Sequence, residues 1–335
     1  MAPAGDRPGP GLLAATHSPP AGVRYPHVLE VPEAPGAPGW LRPVRGLFGS
    51  FLGLVTFLAL TPLVIQLVLV VAWTMAGRPG SFAEFAAAGR AFETPVGMAA
   101  SHLGLAVLLP LSFALVLVVH RVHPRWLHSV QPGVRWRYGL GALLLGFAVL
   151  NAVLFVTGAG WTWQLRPQEG LGWFLVAIVA TSPLQAIAEE YFFRGYLLQA
   201  FQAVLRGPWL GVVVSAAVFA LFHGTQNLPL FLDRFGFGLL AGVLVVRTGG
   251  LEAGVAAHIA NNVSAFVWAG LTGTIAEVKA TRVIGWLDAG IDLLSFALFA
   301  AAALWLGRRM NLASLTPGAP PPHGGRRPSR FGERR

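Results

Sequence analysis

Eight apolar runs, each close to the ~20 residues that cross a bilayer as a helix, constrain how this 335-residue chain can fold. Their approximate limits are 46–76, 97–119, 138–159, 171–193, 209–224, 229–246, 251–272 and 287–306. In lipid, backbone N–H and C=O groups must be satisfied internally, which leaves only helices and closed barrels. Runs this long select helices, so the fold class predicted is an all-α integral membrane protein, a bundle of about eight transmembrane helices. Apolar residues make up 55% of the chain and charged residues 11%, against about 25% charged in a soluble domain. The fifth run is the shortest. The fourth is expected to continue as helix through Arg194 to about Leu205, where Gly207-Pro208 stops it.

Residues 1–44 hold ten prolines and no sustained period, and the end of the chain is again rich in proline and arginine. Three parts are therefore expected: a disordered Pro-rich tail at 1–44, a transmembrane domain at 45–307, and a basic disordered tail at 308–335. The first span is expected to act as the targeting signal. Lys279 is the only lysine among 24 basic residues. The arginines flank apolar runs, as topology determinants facing an anionic inner leaflet do, so nucleic acid is not expected as a partner. The stretch 120–137 carries Arg121, Arg125, Arg135 and Arg137 without an acid, which places it in the cytoplasm. Arg206, Arg247 and Arg308-Arg309 fall on the same side, so both termini of this multi-pass protein are expected inside. Trp161, Trp163 and Trp173 suit the far interface and Trp209 the near one. With no cysteine, disulfides, thiolate metal sites and cysteine nucleophiles are excluded.

Charges at bilayer depth are costly and persist where they are paired or do chemistry. Ala188-Glu189-Glu190-Tyr191-Phe192-Phe193-Arg194 places two carboxylates and a guanidinium within the fourth run. At 100° per residue Glu190 and Arg194 share a helix face and can form a structural ion pair. Glu189 points about 100° away; without a local partner, it suits a general base or acid. Phe219 and His223 are one turn apart, which reads either as a functional imidazole or as an interfacial histidine at a helix end. His258 and Asn262 share a face in the seventh run. They suit an oxyanion hole or, equally in kind, interhelical hydrogen bonding. With ~1.5 Å of rise per residue, Glu189, His223 and His258 reach similar depth, and access from the cytoplasmic side is expected. Two imidazoles and a carboxylate are also a catalytic zinc ligand set, so Zn2+ at Glu189, His223 and His258 is an alternative to direct water activation. The loop histidines His120, His123 and His128 have loose metal-like spacing but read better as a basic juxtamembrane loop. Asp233 and Arg234 are expected to pair or to sit at the interface.

Taken as a set, Glu189-Glu190-x-x-x-Arg194, Phe219-x-x-x-His223 and His258-x-x-x-Asn262 resemble the CPBP family of intramembrane proteases. This family comprises the type II CAAX prenyl endopeptidases and bacteriocin-processing or immunity proteases. The resemblance covers about residues 170–270. It implies an eight-helix bundle with a conical embedded site and hydrolysis of a peptide bond in a membrane-associated or lipidated protein or peptide. In that reading Glu189 and His223 activate water, His258 and Asn262 stabilise the oxyanion, and Glu190 and Arg194 support the site. The family is commonly classed as metalloproteases. The rival reading is a non-catalytic transporter or immunity factor that uses the same buried groups for binding or packing. The preference for arginine over lysine, with abundant Ala, Gly and Pro, points to a GC-rich bacterial genome and an inner-membrane protein, where prenylated CAAX substrates are not expected.

Overall fold

The structure, a computed structural model, describes residues 11, 13, 16–30, 38–157, 164–205 and 209–318. Among these residues every expected apolar run becomes helix, and pairing outside helices is confined to three isolated bridges. The helices are α1 (Leu41–Met75), α2 (Phe82–Arg90), α3 (Pro95–Ala106), α4 (Leu108–Val118), α5 (Trp136–Val156) and α6 (Leu171–Glu190). They continue as α7 (Leu198–Val204), α8 (Leu210–Leu221), α9 (Leu228–Thr248), α10 (Glu252–Thr272), α11 (Ile275–Ala280) and α12 (Trp286–Arg309). Among the described residues six stretches are long and apolar enough to cross a membrane: α1, α3 with α4, α5, α6 through α7, α9 and α12. Of the other two expected runs, α8 is short, at 12 residues. In α10 the 21 residues include Glu252, His258, Asn261 and Asn262, which lower its hydropathy and foreshadow its role. The protein is a multi-pass, all-α membrane protein.

Helix ends follow their sequence signals. Ser81 and Glu84 form a capping box that starts α2, and Thr274 and Glu277 do the same for α11. Thr94 caps α3 ahead of Pro95, and Asn227 caps α9 ahead of Pro229. Gly249 closes α9 in the left-handed region at φ 71°. The fourth run is a single helix from Leu171 to Val204, but it widens to π geometry over Tyr191–Leu197, directly after the paired glutamates. Such widened turns recur at functional sites. The stop expected at Gly207-Pro208, together with Arg206, lies outside the described residues, as do Trp161 and Trp163. Trp173 is exposed at the start of α6 and Trp209 borders α8.

The bundle has two distinct ends. At one, the 119–135 connection ties to the α9–α10 turn through Val130 N–H to Gly249 O and Leu251 N–H to His128 O, at 2.8 and 3.0 Å. Arg135 clamps Glu252, the first residue of α10, through Nε–Oε1 and Nη2–Oε2 contacts of 2.8 and 2.5 Å. At the other end, Arg166 N–H reaches Leu271 O and Asn227 N–H reaches Arg282 O, at 2.8 and 2.9 Å.

The N-terminal region departs from expectation. Residues 16–30, expected within a disordered tail, pack against the first end, with Tyr25 and Val28 fully buried and Leu29 nearly so. Tyr25 Oη donates to Leu127 O at 2.5 Å, and Val23 N–H donates to Thr316 Oγ1 at 2.9 Å. The physical reason is that Tyr25, Val28 and Leu29 supply an apolar anchor which the surrounding prolines mask in composition. Thr316, in the other expected tail, completes the strap. Residues 1–10, 31–37 and 319–335 of the two tails lie outside the described residues.

Candidate active site

The three motifs meet in one place. The shared face of Glu190 and Arg194 forms the expected pair, Arg194 Nη1 donating to Glu190 Oε1 at 2.9 Å with both side chains buried. The widened turn holds the guanidinium between two rings, 4.0 Å from the Phe219 centroid and 5.3 Å from that of Phe237. A cation so placed gains from the ring faces what it loses in hydration. The backbone of α9 approaches closely because position 238 is glycine: a Cβ there would sit 2.9 Å from Ala216 Cβ and 3.2 Å from Arg194 Nη2.

Glu190 also serves α10. His258 Nδ1 donates to Glu190 Oε1 at 2.9 Å, since the carboxylate can only accept. The other ring nitrogen, Nε2, then lies 3.6 Å from Glu189 Oε2. Gly254, one turn before His258, lets α10 come this near, for a Cβ there would be 3.0 Å from Glu190 Oε2. Arg194 offsets the charge of Glu190 in this buried group.

His223 follows the C-terminus of α8. Its Nδ1 donates to the Phe219 carbonyl at 2.8 Å, which fixes the tautomer and leaves Nε2 with a free lone pair. The Phe219 ring packs edge-on at 4.6 Å between centroids. Asn262 Nδ2 donates to Gln185 Oε1 at 2.9 Å, leaving its second N–H unused by that contact. Gln185 lies one turn before Glu189 and interacts with its carboxyl. Sequence reasoning missed Gln185, although a lone amide within an apolar run, at i−4 from Glu189, was a signal of the same kind as Asn262.

Glu189, His223, His258 and Asn262 all line one cavity of about 490 Å³, together with Gln185, Phe193 and Phe237. Glu190 and Arg194 lie behind its wall rather than on it. Outside the long helices the lining comes from Phe92 after α2, Phe222 and His223 after α8, and Val278, Lys279, Thr281 and Arg282 between α10 and α12. Access is therefore at the second end. On the first side the layer beneath the glutamates is closed by buried Tyr191, Tyr196, Leu251, Leu127 and Tyr25. This corrects the expected approach from the arginine-rich side: the N-terminal segment and the 119–135 connection fill that end.

The donor chemistry of a metal site is partly present, since His223 and His258 each hold a proton on Nδ1 and direct Nε2 elsewhere. Among the described residues, however, no three His, Asp or Glu side chains converge closely enough to hold an ion. The loop histidines disperse as well: His120 meets Tyr196 Oη at 3.3 Å, His123 accepts from Arg125 N–H, and His128 bonds Tyr191 Oη. Burial pushes His120 down to about 4, with Arg45 adding to the shift, and lowers His128 against the pull of Glu252. Arg234 turns to Gln226 Oε1 at 2.8 Å rather than to its neighbour, and among the described residues the buried Asp233 Oδ1 has no hydrogen-bond partner. A second cavity of about 380 Å³, between α5, α10 and α12, contains none of the motif residues.

Comparison with known proteins points the same way. Residues 171–264 match the family model described as Type II CAAX prenyl endopeptidase Rce1-like, which bears out the resemblance drawn from the motifs. The chain is 28% identical over 150 residues to the uncharacterized protein YyaK of Bacillus subtilis, covering 41% of this chain and 50% of that one. It is 26% identical over 154 residues to an uncharacterized 24.3 kDa protein of Escherichia coli, covering 43% of this chain and 71% of the other. The chain thus spans about half the length of YyaK. The matched segment contains all three motifs.

Proposed function

We propose that this protein is an intramembrane endopeptidase that hydrolyses a peptide bond in a membrane-associated peptide or protein segment, with Glu189 as general base. The observation that carries this reading is the division of labour between adjacent carboxylates. Glu190 is committed to Arg194 and His258 behind the wall, while Glu189 lines the cavity. Structural pairing accounts for Glu190; a buried carboxylate facing an open cavity is better accounted for by chemistry.

In the proposed reaction a water molecule donates one hydrogen bond to Glu189 and the other to Nε2 of His223. Glu189 takes the proton as the oxygen attacks the substrate carbonyl. The developing oxyanion is met by the unused N–H of Asn262 and by Nε2–H of protonated His258, both fixed before the substrate arrives. Gln185 and Glu190 act as positioning residues, the first orienting Asn262 and the second His258. Collapse of the tetrahedral intermediate returns the proton from Glu189 to the leaving amine, so the steps balance without an external acid. No step passes through a metal, since among the described residues Glu189, His223 and His258 do not converge as ligands. An arginine-biased, cysteine-free chain with two bacterial relatives supports placement in a bacterial inner membrane.

The test is a comparison of membrane peptides and proteins from cells expressing the wild type and Glu189→Gln. Uncut substrates should accumulate in the variant, which should be made and folded to wild-type level. Unchanged cleavage in a folded Glu189→Gln protein would remove the protease reading and leave a binding or transport role for the cavity.

A further inference from the structure

The two ends of the bundle differ in charge as sharply as in closure. At the closed end Arg42 and Arg45 open α1, Arg121, Arg125, Arg135 and Arg137 precede or start α5, Arg247 ends α9, and Arg308-Arg309 end α12; among the described residues the acids there are Glu30 and Glu252. At the open end each basic residue has an acid close by in sequence: Arg78 and Glu84, Arg90 and Glu93, Arg166 and Glu169, Arg234 and Asp233, Lys279 and Glu277, Arg282 and Asp288. Short flanking segments with an excess of Arg and Lys stay in the cytoplasm, and mixed ones cross. Attraction to the anionic inner leaflet adds to the same preference.

We propose that the cavity is loaded from the non-cytoplasmic face, so that its substrates are exported peptides or extracytoplasmic segments of membrane proteins. The sidedness stands on closure and charge alone; the word substrate rests on the protease reading. A prenylated cytoplasmic C-terminus would meet the arginine-rich end, which buried Tyr25, Leu127, Tyr191 and Tyr196 fill. The open mouth carries three cations, Arg234, Lys279 and Arg282, against Asp233. Among the described residues none of the three lies within ion-pair distance of a carboxylate. Lys279 instead sits 4.8 Å from the Phe92 ring centroid, and Arg282 donates to the carbonyls of Lys279 and Thr281. Such a mouth favours an exported peptide with acidic residues or a free carboxylate near the cleaved bond.

The absence of cysteine makes the test direct. Gln131→Cys marks the closed end and Ala280→Cys the open end, both at exposed positions outside the cavity lining. In intact cells a membrane-impermeant maleimide should label Ala280→Cys fully and Gln131→Cys only after permeabilisation. The reverse pattern, or equal labelling of both before permeabilisation, overturns the proposal. Labelling needs no catalysis, so repeating it in the Glu189→Gln background separates failure of the sidedness from failure of the protease reading. A second readout uses the substrates: segments accumulating in Glu189→Gln cells should lie outside the cytoplasm, and a set confined to cytoplasmic proteins overturns the proposal.

Discussion

His258 and Glu190, 68 residues apart in sequence, are joined by a hydrogen bond of 2.9 Å from Nδ1 to Oε1. That bond, with the Arg194 pair, makes Glu190 the glutamate on which folding depends. Removing its charge leaves Arg194 buried without its anion, and breaking such a pair costs about 3–5 kcal/mol. Glu190→Gln should therefore lower the unfolding temperature in detergent far more than Glu189→Gln. Thermal unfolding of the two variants side by side checks the order, and an equal or reversed effect would show that the charges have been assigned wrongly.

His223 offers the opposite case. Its ring is exposed to the cavity and touches its own helix through Phe219, so its removal uncovers little apolar surface. His223→Ala is expected to leave the unfolding temperature nearly unchanged while lowering kcat by about 10²–10⁴-fold, the range for lost proton transfer. Single-turnover cleavage of a substrate found by the peptide comparison provides the measurement. Residual activity near the wild-type level would return His223 to the role of an interfacial histidine.

How much of this was legible beforehand depended on range. The 3.6-residue period separates Glu189 from Glu190 and pairs Glu190 with Arg194, and the structure keeps both relations even though the helix widens at Tyr191. The apolar runs likewise predicted every long helix. Contacts between distant segments carried no such period. Nothing in the local pattern says that His258 seeks Glu190, that Asn262 meets Gln185, or that Tyr25 packs into the arginine-rich end. The side from which the cavity is reached was misjudged for that reason: depth along each helix was available, but which end is plugged depends on a segment that looked like a tail.

Close approach of α10 to Glu190 depends on the missing side chain at Gly254. A Cβ would lie 3.0 Å from Glu190 Oε2 and 3.7 Å from Ala241 Cβ, so Gly254→Val has no free space to enter. Overpacking of this kind typically costs about 1–3 kcal/mol. Because the strain falls on the Glu190–His258 bond, activity should drop by more than the loss of folded protein explains. Measuring kcat per folded molecule separates the two effects. A variant with reduced stability and wild-type kcat would show that His258 need not be held this tightly.

Metal dependence follows from the dispersal of the donors. If the reaction runs through Glu189 and His223 alone, a strong chelator in excess should leave cleavage unchanged, and the purified protein should hold far less than one metal ion per chain. Elemental analysis beside a chelator titration checks both. Activity lost to chelator and restored by Zn2+ would mean that His223 and His258 swing together around an ion.

The closed end also predicts a pH dependence of stability. His120 is buried against Tyr196 with its pKa held at about 4 in the folded protein, below the ordinary 6.5. Its proton is taken up by the unfolded chain first. Stability is therefore complete above about 6.5 and declines as pH falls from there toward about 4. Across that window the loss reaches about 3 kcal/mol at most, from 1.36 kcal/mol per unit. His128, lowered mainly by its burial, contributes with the same sign. Unfolding temperature in detergent should fall on moving from pH 7.5 to pH 5. His120→Gln, which keeps a hydrogen-bonding group beside Tyr196 without a titrating one, should flatten that slope. A slope unchanged in His120→Gln would place the acid sensitivity elsewhere in the fold.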